Sequence, residues 1–342
     1  MHRLFSLRSW LWGDTRKANR SGKVGSRHSR HTATQRTAGQ RRAMFLEQLD
    51  ERVVFAYDPL APNPAELIQT GLTAADLAQA LVGPGVTISN ATFTGASMGG
   101  GTFTFTDATV VGFNQGILLS SGNVVDVVGP NVADYTGTDR TNAGDTDLSN
   151  LSGFTTLDAT VLEFDFTPTA NQVVFQYAFA SDEYPEWVNT PYNDVFAFIV
   201  NGVNYATVRQ VAGDATSAFV PVTVNNINNG NPLDSTFAPA RPDLFRSNSF
   251  VDAVTPSPID LEMDGITHVL NFQAPVTPGV VNHMKLAIAD ASDGIYDSAV
   301  FIQAGSLVSA AAVIRCRPRF PPCRCRSIPA FPRRTTSPTT RP

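Results

Sequence analysis

Two short acidic segments, each beside a strongly apolar run, carry side chains of the kind that bind hard cations. The residues concerned are Asp182, Glu183, Asn193, Asp194, Asp290, Asp293 and Asp297. A hairpin would bring the first four together, and Gly294 permits a sharp turn among the last three. Since Ca²⁺ takes about six to eight oxygen ligands, we predict a structural Ca²⁺ site if the two segments meet. A solvated acidic loop is the alternative, because carboxylates are mostly exposed.

The apolar runs on either side of the first segment are typical of buried strands. Residues 173–179 (VVFQYAF) and 195–200 (VFAFIV) are rich in β-branched and aromatic side chains. Such runs leave little exposed face. The second run ends at Asn201 and Gly202, a pair that favours a tight turn because both residues tolerate positive φ.

Signals for catalysis are weak. A glycoside hydrolase needs two carboxylates flanking a sugar, and Glu183 with Glu186 is one of many acidic pairs in the chain. A Ser-His-Asp hydrolase needs a histidine, but His268 and His283 lie in strand-like runs that predict packed side chains. No P-loop, H-E-x-x-H, G-x-S-x-G or dinucleotide-binding motif occurs. We therefore expect no catalysis, with a carbohydrate-active hydrolase built on acidic residues around Glu183 as the alternative.

Charge is divided unevenly along the chain. The formal net charge is −5, but residues 1–43 carry eleven Lys and Arg against one acid, and residues 315–342 carry eight Arg and no acid. The body, 44–314, keeps six basic and twenty-nine acidic residues, a net of −23. A body of this charge repels nucleic acid and attracts divalent cations, so we expect no nucleic-acid partner.

The ends also differ from the body in composition. We predict that residues 1–56 are a disordered, basic sorting region and that 57–65 are a linker. Residues 308–342 are predicted to be a disordered Arg/Pro-rich tail, a composition that also arises when a GC-rich gene is read out of frame. Cys316, Cys323 and Cys325 all lie there, so no disulfide holds the core. No run of about 20 apolar residues predicts a membrane span.

Residues 66–307 show about a dozen alternating strand-like runs separated by Gly, Asn and Pro turns. We predict a single, mainly β domain, an antiparallel β-sandwich of jelly-roll type with one short N-terminal helix near 73–82. Thr73 and Asp76 are placed to cap that helix. Residues 123–157 are predicted to be a long loop, and 232–258 an irregular excursion.

Several segments resemble, in order, the bacterial choice-of-anchor L domain family, an extracellular module joined to varied surface anchors. They are LTAADLAQALVGPGVTISN, GILLSSG, DATVLEFDF, FASDEYPEWV with YNDVFAFIVNG, VTVNN, and KLAIADASDGIYDSAVFIQAG. The segment around LEQLDER resembles a sorting motif of exported bacterial surface proteins. The resemblance implies an extracellular or cell-surface location and a β fold, and it does not itself establish a metal.

From these observations we expect an exported binding or adhesion module. Its Phe-rich sandwich, long polar loops and acidic cluster suggest a surface glycan or an extracellular protein as partner. A purely structural surface-layer domain is the alternative, and ligand retention by the folded domain distinguishes the two.

Overall fold

The computed structural model describes residues 66–249 and 259–311. The predicted sorting region, the linker and residues 312–342 of the predicted tail lie outside the described residues. Strands in the described part are β1 Glu66–Gln69, β2 Val86–Thr94, β3 Gly100–Phe105, β4 Gln115–Ser120, β5 Thr156–Pro168, β6 Gln172–Ser181, β7 Val195–Val200, β8 Val203–Asn204, β9 Thr207–Arg209, β10 Phe219–Thr223, β11 Phe245–Ser247, β12 Gly265–Thr267, β13 Leu270–Pro275, β14 Asn282–Ala291, β15 Ser298–Gln303 and β16 Val308–Ala310. Helices there are α1 Ala74–Leu81 and α2 Thr146–Ser152, with 3₁₀ turns at Ser97–Gly99, Val124–Val127, Val224–Asn226 and Pro242–Leu244.

The strands form two antiparallel sheets, which confirms the predicted mainly β sandwich. The first sheet has the order β1-β3-β4-β15-β6-β12-β11, with β13 and β16 also paired to β6. The second has the order β2-β5-β14-β7-β10-β9, with β8 paired to β7. In the part of the chain that is described, no helix is long and apolar enough to cross a membrane.

The main core lies between the two sheets and is built largely from aromatic rings. Phe175 and Phe272 of the first sheet meet Phe198 of the second at ring-centroid distances of 4.0 and 3.6 Å. Tyr177 and Phe196 make a similar contact at 5.2 Å. Aromatic pairs at such distances stabilise a protein beyond the effect of the buried area. Contacts between the centres of β6 and β7 therefore hold the two sheets together.

Both sheets are also covered on their outer faces. Phe103, Phe105 and Phe301 pack outside the first sheet in a second core. Outside the second sheet, Leu148 of α2 packs on the small side chains of Ala197 and Ala287. This double coverage explains why β7 is buried at every position and shows no polar alternation.

Helix α1 begins where it was predicted. Its N-cap Thr73 accepts a hydrogen bond from the Asp76 amide, and the Asp76 carboxylate accepts one from the Thr73 amide. The prediction of one short helix was incomplete, because α2 lies within the predicted loop 123–157. Asp145 caps α2 and Gly153 ends it in the left-handed conformation, but seven residues carry too little apolar periodicity to stand out in a polar segment.

Two local features of the sheets are the turn after β7 and the break between β12 and β13. Asn201 and Gly202 adopt positive φ values of 51° and 82° in the β7–β8 turn, as predicted. The segment 265–275 does not form one strand but divides into β12 and β13, with one extra residue opposite β6. There, the Thr267 hydroxyl accepts the Phe179 amide in place of a backbone carbonyl.

The histidines are not packed, contrary to prediction. His268 is exposed in the break between β12 and β13. His283 is exposed near the start of β14, and its ring lies 3.0 Å from Asp165 and 3.4 Å from Glu163. The Asp165 hydrogen bond raises the pKa of His283. Both histidines therefore lie on the surface and not in the core.

The predicted hairpin between residues 173–179 and 195–200 is wrong. β6 belongs to the first sheet and β7 to the second, so the segment between them crosses from one sheet to the other. Residues 292–297 make the same crossing between β14 and β15. Two strands that are apolar on both faces each need a central position, and one hairpin at a sheet edge does not provide two.

We expect the N-terminus of α2 to depend on its contact with β14. Lys285 Nζ lies 2.6 Å from Asp145 and 2.7 Å from Asp147, and Asp145 also accepts the Asp147 and Leu148 amides. Asp145→Ala removes cap and ion pair and is expected to cost about 2 kcal/mol. Asp145→Asn keeps the cap and is expected to cost less than half of that, by urea denaturation. Equal losses in both variants would show that the cap contributes nothing.

Candidate functional site

At one end of the second sheet, three neighbouring strands each place an aspartate. Val195 of β7 lies opposite Ala289 of β14, so the next residues outward, Asp194 and Asp290, are opposite each other. On the other side of β14, Asp290 is paired with Leu157, and Asp158 follows it on β5. All three carboxylates are at most 1% exposed. The strand register therefore collects buried acids at this end.

The first sheet ends at the same place. Ser298 of β15 is paired with Ser181 of β6, and the Asp182 amide donates to the Asp297 carbonyl oxygen at 3.1 Å. Asp182 and Asp297 are each 1% exposed. Because both crossings between the sheets occur here, five acids from five strand ends share one buried region, namely Asp158, Asp182, Asp194, Asp290 and Asp297. Below, this set is called the acidic end.

The segment 134–142 supplies backbone amides to the outer members of the acidic end. Asp158 accepts from the Arg140 and Asn142 amides at 2.9 and 2.5 Å. Asp297 accepts the Thr138 amide at 3.1 Å, and Asp182 accepts the Thr136 and Asp264 amides, both at 3.0 Å. The predicted long polar loop thus wraps these carboxylates and satisfies them with N–H donors.

Asp290 has no such partner. Neither of its carboxylate oxygens accepts a hydrogen bond within the described residues. Its neighbour Asp194 accepts the Ala291 amide at 2.8 Å and the Ser298 hydroxyl at 2.7 Å. Burial, and then the Asp194 charge, raise the pKa of Asp290 well above its ordinary value, and burial raises the pKa of Asp194 to about 7. Unless a cation or a proton is bound, the negative charge of Asp290 is therefore not compensated by a partner.

Glu183 connects the acidic end to a surface pocket. The pocket has a volume of about 240 Å³. Its lining residues are Glu183, Trp187, Tyr192, Asp293, Ile295 and Tyr296. Burial, and then the charges of Asp194, Asp293, Asp182 and Glu186, raise the pKa of Glu183 to about 11. The raised pKa favours the protonated form of Glu183, which can donate a hydrogen bond.

Three aromatic rings form the walls of this pocket. Trp187 lies 5.0 Å from Tyr192 and 6.2 Å from Tyr296, at interplanar angles of 82° and 81°. Tyr135, which is half-exposed, stacks on the outer face of Tyr296 at 5.1 Å. Trp187 and Ile295 are 36% and 49% exposed, so the pocket opens to solvent beside an apolar wall.

Six of the seven predicted site residues lie in or beside the acidic end. Asn193 does not join them. Its side chain donates to the Ser152 carbonyl at 3.0 Å and accepts the Asn225 amide at 2.9 Å, which fastens β7 to α2 and to the Val224–Asn226 turn. Asp293 is only partly buried and faces the pocket. The sequence prediction grouped Asn193 with Asp194 because they are adjacent in the chain. Successive side chains at a strand end lie on opposite faces, however, so the two residues have different neighbours.

Gly294 has a different role from the predicted one. It is not among the residues with positive φ, and the left-handed residue of this turn is Ser292 at 79°. A Cβ on Gly294 would lie 2.6 Å from the Asp158 carboxylate. Gly294 is therefore required for space beside a buried acid, and not for the turn.

Sequence reasoning missed several acids of the site. Asp158 lies near the start of β5, as Asp194 lies just before β7, so the same signal of an acid at a strand end identifies it. Asp264 directly precedes β12 and carries the same signal, whereas Glu262 is set back from that strand and does not. Asp264 accepts the Asn131 side-chain amide at 2.6 Å, and its amide donates to Asp182.

A metal centre is not evident from the protein ligands alone. Within residues 66–249 and 259–311, no group of three or more His, Cys, Asp or Glu side chains is placed to hold a metal ion. The seven-residue Ca²⁺ site therefore stays a prediction, and the geometry places its acids around a much smaller centre, the Asp194–Asp290 pair.

The pKa of Asp264 makes stability depend on pH. Burial is the main cause that raises this pKa to about 8, against about 3.9 in the unfolded chain. Folding therefore takes up a proton, and this group lowers stability as pH rises from about 4 to 8, by up to about 1.4 kcal/mol per pH unit. Asp264→Asn should gain stability over the wild type between pH 5 and pH 8 in urea denaturation.

Asp107→Asn is the matched control for that series. The Thr109 hydrogen bonds lower the pKa of Asp107, so it is ionised throughout this pH range and its loss leaves the pH slope unchanged. Parallel pH curves for wild type and Asp264→Asn would contradict the assignment.

The backbone of Gly122, in the GILLSSG segment, lies so close to the acidic end that it leaves no space for a side chain. A Cβ at this position would overlap the carboxylate of Asp297. Gly122→Ala is expected to destabilise the protein by about 3 kcal/mol in urea denaturation, because it overpacks a buried carboxylate. Gly279→Ala, with φ of 69° and open space around it, measures backbone strain alone and should cost about 1 kcal/mol. Equal costs would show that Asp297 moves freely.

A family model described as "Choice-of-anchor L domain" matches residues 66–308. No curated protein sequence matches the chain. One solved structure, of a family 35 carbohydrate binding module from an environmental isolate, is 13% identical, with a TM-score of 0.18. The matched region covers 54% of this chain and 94% of the carbohydrate binding module's chain. At this TM-score nothing about this chain follows from the likeness.

Proposed function

Since this chain belongs to the choice-of-anchor L domain family, we propose that it is a surface-displayed, non-catalytic module that binds a glycan in the aromatic pocket. Choice-of-anchor domains belong to surface-anchored extracellular proteins, which fits an extracellular or cell-surface location. The observation that carries the glycan is the pocket of Trp187, Tyr192 and Tyr296 with two carboxyl groups.

The chemistry of the pocket suits a sugar ring. Indole and phenol rings are rigid and amphipathic, so they cover the C–H face of a pyranose at low entropic cost. Sugar hydroxyls both donate and accept hydrogen bonds. The protonated Glu183 offers a donor and Asp293 an acceptor on one side of the pocket. A volume of about 240 Å³ accommodates one sugar residue, with the open side left for the rest of the chain.

A hydrolase is the second candidate, because Glu183 and Asp293 line one pocket. A glycosidase needs an acid with a raised pKa and a second carboxylate across the sugar. Binding is the better-supported function, because burial raises the pKa of Asp293 as well as that of Glu183, which disfavours a charged second carboxylate across the sugar. Release of reducing sugar by the wild type, lost in Glu183→Gln, would assign catalysis to this pocket.

Glycan-array screening of the full chain, followed by titration calorimetry of the strongest ligand, tests the proposal. Trp187→Ala is expected to weaken binding at least tenfold, because aromatic residues at the centre of a site carry much of the affinity. Tyr296→Ala should weaken it as well. Phe219→Ala removes an aromatic that is 60% exposed and stacked under Arg209, away from the pocket, and should leave the affinity unchanged.

Three outcomes separate the alternatives. An array without any bound glycan contradicts the glycan proposal. Binding to an extracellular protein with the same Trp187 dependence keeps the module and replaces its ligand. Folded protein that binds neither class indicates a purely structural surface domain.

A further inference from the structure

We propose that Asp290 and Asp194 bind one Ca²⁺ ion between the two sheets, at the acidic end. The inference is independent of the glycan pocket. It concerns a metal that completes the fold, and it replaces the broad seven-residue prediction with a two-carboxylate centre.

The main observation is the isolation of Asp290. Its side chain is 1% exposed, and neither carboxylate oxygen accepts a hydrogen bond from the described residues. The Ser121 hydroxyl lies within reach of Asp290, but it donates to the Ser298 carbonyl oxygen at 3.3 Å. A buried carboxylate with two open oxygens costs several kcal/mol in a folded protein unless a cation or a proton compensates it.

The register of the sheet places a second carboxylate where a shared cation would sit. Asp194 is opposite Asp290 on the adjacent strand, continuing the β7–β14 pairing. Its oxygens accept the Ala291 amide and the Ser298 hydroxyl, and each oxygen keeps a second lone pair. The groups beside the two carboxylates, the Ser121 and Ser298 hydroxyls, also present oxygen, so the side chains next to the pair offer oxygen donors.

The remaining acids supply charge without being ligands. Asp158 has both oxygens engaged by backbone amides, and Asp297 accepts the Thr138 amide. Both nevertheless act electrostatically on Asp290. This arrangement accounts for the lack of any three-carboxylate metal group in the described residues, and it leaves a strongly negative potential at the pair.

The donor types select calcium among common ions. Oxygen-only sites suit Ca²⁺ and Mg²⁺, whereas zinc and copper prefer nitrogen and sulfur. His268 and His283, the histidines of the described part, are exposed on the surface. Mg²⁺ keeps several waters in a strict octahedron, which a fully buried pair excludes. Ca²⁺ accepts irregular geometry and protein oxygens.

The experiment follows thermal unfolding of the full chain after chelator treatment, with Ca²⁺ added back. At a free Ca²⁺ concentration of about 100 Kd, the midpoint should rise by roughly 5–10 °C. Titration calorimetry should give one site per chain. Mg²⁺ at the same concentration should produce a much smaller shift.

Asp290→Asn carries the decisive comparison. Without metal this variant should melt at or above the wild-type temperature, because it removes an uncompensated buried charge, and it should no longer respond to Ca²⁺. Asp194→Asn tests the second ligand in the same way. Asp214→Asn, an exposed acid outside the acidic end, should respond as the wild type does.

Several results would overturn the site. They are a wild type without saturable Ca²⁺ binding, an Asp290→Asn variant that keeps the full response, and equal responses to Ca²⁺ and Mg²⁺ in all variants. The first means that Asp194 and Asp290 share a proton only, and the last means that cations merely screen the acidic body. Circular dichroism of each variant in chelator confirms that loss of response is not loss of fold.

Discussion

Burial of like charges where the chain passes between the two sheets is the constraint around which this domain is arranged. Asp182, Asp194, Asp290 and Asp297 are each at most 1% exposed. Isolated buried carboxylates destabilise a protein strongly, so the surrounding structure is devoted to compensating them. Backbone amides and the Ser298 hydroxyl donate hydrogen bonds to these acids, and glycines permit close approach to them. The course of the loops at this end is therefore set by the hydrogen bonds that the buried acids require.

The hydrophobic core makes that burial tolerable. The rings of Phe175, Phe198 and Phe272 join the sheets at the centre, and outer layers cover both sheets. A large buried apolar area offsets the cost of a few charged groups. The same packing positions the two segments that cross between the sheets. The aromatic pocket therefore lies on well-packed strands. Glu183 lines this pocket and is also close enough to the acidic end for the charges of Asp194 and Asp182 to raise its pKa.

Much of the fold was open to prediction because its causes are local. Alternating or doubly apolar runs have a period that a strand alone satisfies, Thr73 and Asp76 form a capping box within four residues, and Asn201-Gly202 makes its turn from intrinsic φ preferences. The acids of the site were likewise visible as residues at strand ends. Family membership also followed from ordered motifs, and the match over 66–308 confirms it.

What the sequence by itself determined was thus the type of each element and the identity of most site acids. Only the tertiary structure decided which strands share a sheet, and hence that β6 and β7 are not a hairpin. The register then set Asp194 against Asp290, turned Asn193 toward α2, and brought Asp158 beside Gly294. These outcomes depend on contacts between residues 41 to 136 positions apart, which no local pattern encodes. Long-range strand pairing therefore determines where each carboxylate lies and what surrounds it.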